Sequence, residues 1–165
     1  MLENLDLRAA GFAVGADVDT NVLRLAHGKR IACHARTLPF ADAAFDLVFT
    51  QMFFLWAQPL DQILTEIRRV LADDGYLIAV AEPDYGGAIV HPSNSQVIHE
   101  IADALQAEGA DAHIGRKLAH AMDRAGFQVE CGIHPTNPLA NGPGQPFRFI
   151  PYFHFFARKT QGGNH

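Results

Sequence analysis

At 165 residues, with 48% hydrophobic and 19% charged side chains, the chain has globular composition and is long enough for one ordinary domain. Thirteen Lys and Arg against eighteen Asp and Glu give a net charge of −5, and no basic stretch exceeds Gly28-Lys29-Arg30 or Gly115-Arg116-Lys117, which argues against a nucleic-acid partner. Met1–Asp6 shows no basic leader ahead of an apolar run, and no apolar stretch approaches the ~20 residues of a membrane span, so a soluble cytoplasmic protein is expected.

In chain order, Phe12–Ala16 reads as a strand ending in Asp17-Val18-Asp19-Thr20, followed by a short helix through Val22, Leu23 and Leu25. Arg30–Cys33 and Phe45–Thr50 are the next strands. The spacing predicts a helix over Pro59–Leu71, where Pro opens the first turn and Leu60, Ile63, Leu64, Ile67, Val70 and Leu71 recur at three and four. Asp74-Gly75 breaks it, and Tyr76–Ala81 is a continuous apolar run of the kind buried on both faces of a parallel sheet.

Two further helices are expected. One spans Gln96–Glu108 with Val97, Ile98, Ile101 and Leu105 on one face; the other spans Ala112–Ala125 with Ile114, Leu118 and Met122 inward, Asp111 as N-cap and Gly126 as stop. Phe127–Ile133 and Phe147–Arg158 read as closing strands, with a bulge at Pro151 and a Pro/Asn/Gly-rich loop, Pro135–Pro146, between them. The alternation of strands and helices is that of a parallel α/β sheet with crossover helices, one domain over 1–160 with a disordered tail at 161–165.

Several kinds of chemistry are disfavoured by spacing. Cys33 and Cys131 stand alone, without a CxxC, and read as reduced thiols. His113 and His120 lie seven apart rather than at i, i+4, and His91 and His99 lack a matching pair, so no metal site is expected. No nucleophile elbow, phosphate loop or Cys/His protease signature occurs.

The stretch Leu38-Pro39-Phe40-Ala41-Asp42-Ala43-Ala44-Phe45-Asp46-Leu47-Val48, followed by Glu66-Ile67-Arg68-Arg69-Val70-Leu71-Ala72-Asp73-Asp74-Gly75-Tyr76-Leu77, resembles the class I S-adenosylmethionine-dependent methyltransferases of the type 11 group. Val14-Gly15-Ala16-Asp17-Val18-Asp19 is similar to that family's second strand and its acidic end. The resemblance implies a Rossmann-like three-layer methyltransferase sheet with an antiparallel last strand, S-adenosylmethionine as cofactor, and methyl transfer to an O, N or C nucleophile of a small molecule.

By that resemblance Asp17 accepts hydrogen bonds from the ribose hydroxyls, with Val18 beside it; a solvated turn residue is the other reading. Asp19 is the second acidic candidate, or a cap on the next helix. Where the family has Asp-Ala at the adenine, this chain has His34-Ala35, and a neutral His accepts one hydrogen bond. Leu38 and Phe40 wall the adenine or pack under the loop.

Thr50 and Gln51 end a strand, where ligands of open α/β sheets bind, so they join the cofactor candidates. The run Met52–Trp56 reads as helix packing or a substrate wall. Glu82, Asp84 and Tyr85, in Glu82-Pro83-Asp84-Tyr85-Gly86-Gly87, either orient a substrate nucleophile and carry its proton or shape a turn. Substrate identity is expected in Glu82–Val90 and Pro135–Pro146.

The family begins with a strand and a Glu/Asp-x-Gly-x-Gly-x-Gly turn, whereas Met1 here reads as lying inside the helix that follows them. The resemblance therefore implies an N-terminally truncated sheet, with the first, central strand of the order 3-2-1-4-5-7-6 missing, and weak cofactor binding by this chain. Three outcomes are open: direct pairing of the flanking strands, a homo- or hetero-oligomer that supplies a strand through the exposed sheet edge, or a fragment from a late start codon. A degenerate relative that binds a partner is the alternative to an enzyme.

Overall fold

The computed structural model describes residues 11–25, 27–91, 96–134 and 147–160. They fall in two compact units, one within Met1–Pro39 and one within Phe40–His165. The expected N-terminal helix, the loop Pro135–Pro146 and the tail 161–165 lie outside the described residues.

In the first unit, β1 (Val14–Asp17) and β2 (Lys29–Ala32) are parallel, joined through α1 (Thr20–Leu25), and register Val14 on Lys29 and Asp17 on Ala32. The strand expected at Phe12–Ala16 is displaced toward Asp17, which becomes its last residue. Helix α1 begins where Asp19 Oδ1 accepts the Asn21 amide at 2.7 Å, and Arg30 Nη1 donates to the Leu23 carbonyl at 2.9 Å near its end.

The second unit is built on a four-stranded sheet in the order β3 (Phe45–Gln51), β4 (Leu71–Pro83), β8 (Tyr152–Lys159), β6 (Phe127–Ile133). β3 and β4 are parallel; β8 runs antiparallel between β4 and β6, as expected of the last strand. Helices α2 (Leu60–Val70) and α4 (Ile114–Arg124) touch each other and the sheet, and so share one face of it. Ile63, Leu64, Ile67 and Val70 of α2 meet Ile114, Leu118 and Met122 of α4 over Leu77, Ala79, Phe155 and Ala157, all buried. Arg68 ties this layer down, donating to the carbonyls of Gly126 at 2.8 Å and Thr160 at 2.7 Å.

Four expectations are corrected. The strand expected at Tyr76–Ala81 extends back to Leu71, because Leu71 pairs with Phe45 before the chain turns at Asp74 (φ 62°) and resumes at Tyr76 opposite Leu47. Gly75 is needed there: a Cβ would stand 2.8 Å from the Ala72 carbonyl oxygen. The single strand expected over Phe147–Arg158 divides at Ile150-Pro151 into β7 (Phe147–Phe149) and β8, and β7 pairs antiparallel with β5 (Ile89–His91), a strand with no signal in the sequence. Helix α3 (Gln96–Ala107) buries Ile98 and Ala102, leaving Val97 and Ile101 exposed, because among the described elements it packs chiefly on the 3₁₀ turn Tyr85–Gly87. Finally, α4 starts at Ile114, two residues later than expected; Asp111 instead closes the turn before it, accepting the His113 amide at 3.0 Å and Lys117 Nζ at 2.7 Å. Burial works to raise Asp111, but Lys117 and the His113 amide outweigh it and hold the carboxyl below its usual range.

Candidate functional site

The residues singled out in the sequence divide between the units. Asp17, Val18, His34, Ala35 and Leu38 belong to the first; Thr50, Gln51, Glu82, Asp84 and Tyr85 belong to the second.

In the first unit Asp17 ends β1, where its carbonyl accepts the Cys33 amide at 3.0 Å and its Oδ1 accepts the Asp19 amide at 2.8 Å. That bond fixes the side chain at the strand's carboxyl end and leaves Oδ2 without a partner among the described residues. Burial, and then the Asp17 charge beside it, push the Cys33 thiol up, so this cysteine is neutral rather than a reactive thiolate. Val18 is exposed and Ala35 is half-buried, as is Leu38. His34 opens a turn closed by the Thr37 amide, and its Nδ1 accepts the Arg36 amide at 3.1 Å. A neutral imidazole with Nδ1 accepting carries its proton on Nε2, so the outer nitrogen is a donor. With Nδ1 held in that turn, the ring nitrogen of His34 left for a ligand is Nε2.

In the second unit the carboxyl ends of β3 and β4 form one polar corner. Gln51 ends β3 exposed, and the chain turns at Met52 (φ 48°). The run Met52–Trp56 forms a turn in which Phe54 and Leu55 enter the core, the packing role expected of it, while Trp56 is exposed. Thr50 Oγ1 is buried with no hydrogen-bond partner among the described residues.

Glu82 explains the turn. A bulge in β4, with Ala81 at φ 59°, places two residues of β4, Val80 and Ala81, against one of β8, His154, between the pairs Ala79–Phe155 and Glu82–Phe153. The extra residue swings Glu82 onto the helix-covered face, where it is fully buried. Its Oε1 accepts the amides of Phe53 at 3.0 Å and Phe54 at 3.1 Å, and Oε2 accepts Phe54 at 3.1 Å. Burial pushes its pKa up to about 7 against the opposing pull of the Phe54, Phe53 and Leu55 amides. Two non-glycine residues held in the left-handed region, each costing on the order of 1 kcal/mol, flank this carboxylate.

Asp84 is also buried. Its Oδ2 accepts Arg116 Nε at 2.8 Å, while Oδ1 has no partner among the described residues. Tyr85 shares a hydrogen bond with Tyr152; burial, then Tyr152, raise its pKa, so the phenol is a neutral donor. Tyr85, Gly86, Ala88, Ile89, Val90, Ile98 and His99 line a half-open cleft of about 340 Å³. Arg116 escaped the sequence reading, because nothing in the primary structure joins the first turn of α4 to Asp84. Among the described residues no three His, Cys, Asp or Glu side chains gather as metal ligands, and no described helix is long and apolar enough to cross a membrane.

The sheet order, the antiparallel β8 and the acidic ends of β1 and β4 define a Rossmann-like α/β fold of the methyltransferase type. The solved structure of an S-adenosylmethionine-dependent methyltransferase from Methanosarcina mazei superposes with a TM-score of 0.64 over 90% of this chain and 82% of that one, at 16% identity. A family model described as a methyltransferase domain matches residues 1–79. The chain is thus similar to the S-adenosylmethionine-dependent methyltransferases, in fold across most of its length and in sequence over its first 79 residues. Among curated relatives, a malonyl-[acyl-carrier protein] O-methyltransferase of Geobacter sulfurreducens is 51% identical over 111 residues, which are 63% of this chain and 42% of that protein. Its counterpart from Coxiella burnetii is 34% identical over 103 residues, 56% of this chain and 36% of that protein. The match thus spans less than half the length of either relative.

Proposed function

We propose that this protein transfers a methyl group from S-adenosylmethionine to a small-molecule nucleophile. The observation that carries the reading is Asp17, fixed at the carboxyl end of β1 by the Asp19 amide with a second carboxylate oxygen unengaged. That oxygen fits a ribose hydroxyl pair, and the His34 Nε2 proton fits a ring nitrogen of adenine. The cofactor, when bound, supplies an electrophilic methyl group on a sulfonium.

The acids of the second unit are poor candidates for a general base, since Glu82 is bound to backbone amides and Asp84 to Arg116. Tyr85 is a neutral phenol with its hydroxyl engaged by Tyr152. They position rather than remove protons. A carboxylate acceptor arrives deprotonated and needs no base, which agrees with the malonyl O-methylation for which the relatives are named.

Calorimetric titration of S-adenosylmethionine into the protein and into Asp17→Ala tests this. Loss of charge-assisted bonds worth roughly 1.5–3 kcal/mol should weaken binding about ten- to a hundredfold, and Asp17→Asn should lose less. Equal affinity for wild type and Asp17→Ala would sink the assignment. It would advance a second reading, a methyltransferase-like module that binds a partner protein. That reading is favoured by the sheet face where Leu47, Tyr76 and Phe156 are 41%, 45% and 44% exposed, and by β3, which pairs with no strand except β4 among the described residues.

A further inference from the structure

We propose that Arg116 is the anchor for an acidic methyl acceptor, its guanidinium taking the acceptor's carboxylate at the rim of the cleft beside Tyr85. The inference rests on the methyl-transfer reading for the occupant's role, but not for the existence of the anion site.

Three observations meet at Gly86. The glycine lines the cleft, and it also lies directly beneath the guanidinium, since a Cβ built on it would stand 2.6 Å from Arg116 Nη2 and 3.1 Å from Cζ. The guanidinium occupies the space that a side chain at 86 would fill, and so sits against a residue of the cleft wall. Arg116 itself is half-exposed, with its side chain 49% accessible, and among the described residues only Nε is engaged. Both terminal nitrogens keep their donors, in the planar fork that matches a carboxylate.

Asp84 sets the orientation. It is 5% exposed at the side chain and holds Nε, which leaves the terminal nitrogens for another acceptor. An arginine placed only to neutralise Asp84 would engage both carboxylate oxygens through its fork. Here the bond is single, and Oδ1 is left buried without a partner among the described residues. The pair also limits affinity: the Asp84 charge offsets part of the attraction for an anion, so a small diacid binds weakly. A full acceptor adds apolar contact with Ile89, Val90 and Ile98 in the cleft.

The test is titration of malonate into the 165-residue protein in low-chloride buffer, followed by calorimetry and without S-adenosylmethionine. Malonate should bind in the millimolar range, and its neutral dimethyl ester should not. Arg116→Gln should weaken malonate binding about tenfold or more. Because that change leaves Asp84 buried without its cation and is open to a folding defect, two further variants are measured. Arg116→Lys keeps the ion pair but not the fork, and Gly86→Ala keeps both residues but drives the guanidinium off the rim. Both should weaken malonate with circular dichroism unchanged. Absence of malonate binding by the wild type, or wild-type affinity in Arg116→Lys and Gly86→Ala, overturns the proposal. Inorganic phosphate binding more tightly than malonate overturns the carboxylate assignment. Failure of cofactor binding leaves these titrations readable, so the two readings fall separately.

Discussion

Glu82 holds Phe54 with both carboxylate oxygens, each 3.1 Å from the same amide nitrogen. A buried acid thereby carries the turn between the carboxyl end of β3 and α2. With the folded pKa raised to about 7 from 4.5, the native state binds the proton more tightly than the unfolded chain. The resulting stability is fully present below pH ~4.5 and is lost as pH rises to about 7, a span on the order of 3 kcal/mol. Melting temperature should therefore fall between pH 5 and 8 on this group's account, and Glu82→Gln should flatten that slope. An unchanged slope in the variant would show that the proton resides elsewhere.

Gly115 should resist substitution. A Cβ there would meet Phe153 Cδ2 at 2.8 Å and the carbonyl oxygens of Glu82 and Pro83 at 3.1 Å, at the point where α4 comes closest to β4. Gly115→Ala is expected to cost about 1–3 kcal/mol in urea unfolding, despite alanine's better helix propensity. A stabilised variant would mean that α4 shifts at no cost.

His34→Asp should leave the turn intact, because a carboxylate oxygen accepts the Arg36 amide as Nδ1 does. It converts an outward donor into an acceptor. In the reading given above, titration with S-adenosylmethionine should then show unchanged or higher affinity, with the adenine amino group as the new donor. A tenfold loss would show that the adenine amino group does not replace the bond given up with the Nε2 proton.

Much of the fold was legible because its signals are local. The three-and-four spacing of Ile63, Leu64, Ile67 and Val70 marks α2, and Gly126 at φ 85° ends α4 where a left-handed residue is required. The corner was less legible. The acids at 82 and 84 stood out by their place after a strand, yet their roles depend on the Ala81 bulge, a register irregularity between strands far apart in sequence. The Asp84–Arg116 contact crosses 32 positions, and β5 exists only because β7 pairs with it. Periodicity carries no record of such pairings.

β8 is the last strand in sequence and an inner strand in space, inserted between β4 and β6. During synthesis, β4 emerges long before the residues that complete its hydrogen bonding, and Leu77 and Ala79 wait for Ala157 and Phe155. The nascent chain must therefore carry an open, apolar strand edge until the ribosome has passed Tyr152–Lys159. Chaperone demand and aggregation should peak in that interval, making yield in the cell more sensitive to substitutions in β8 than their effect on the finished fold suggests.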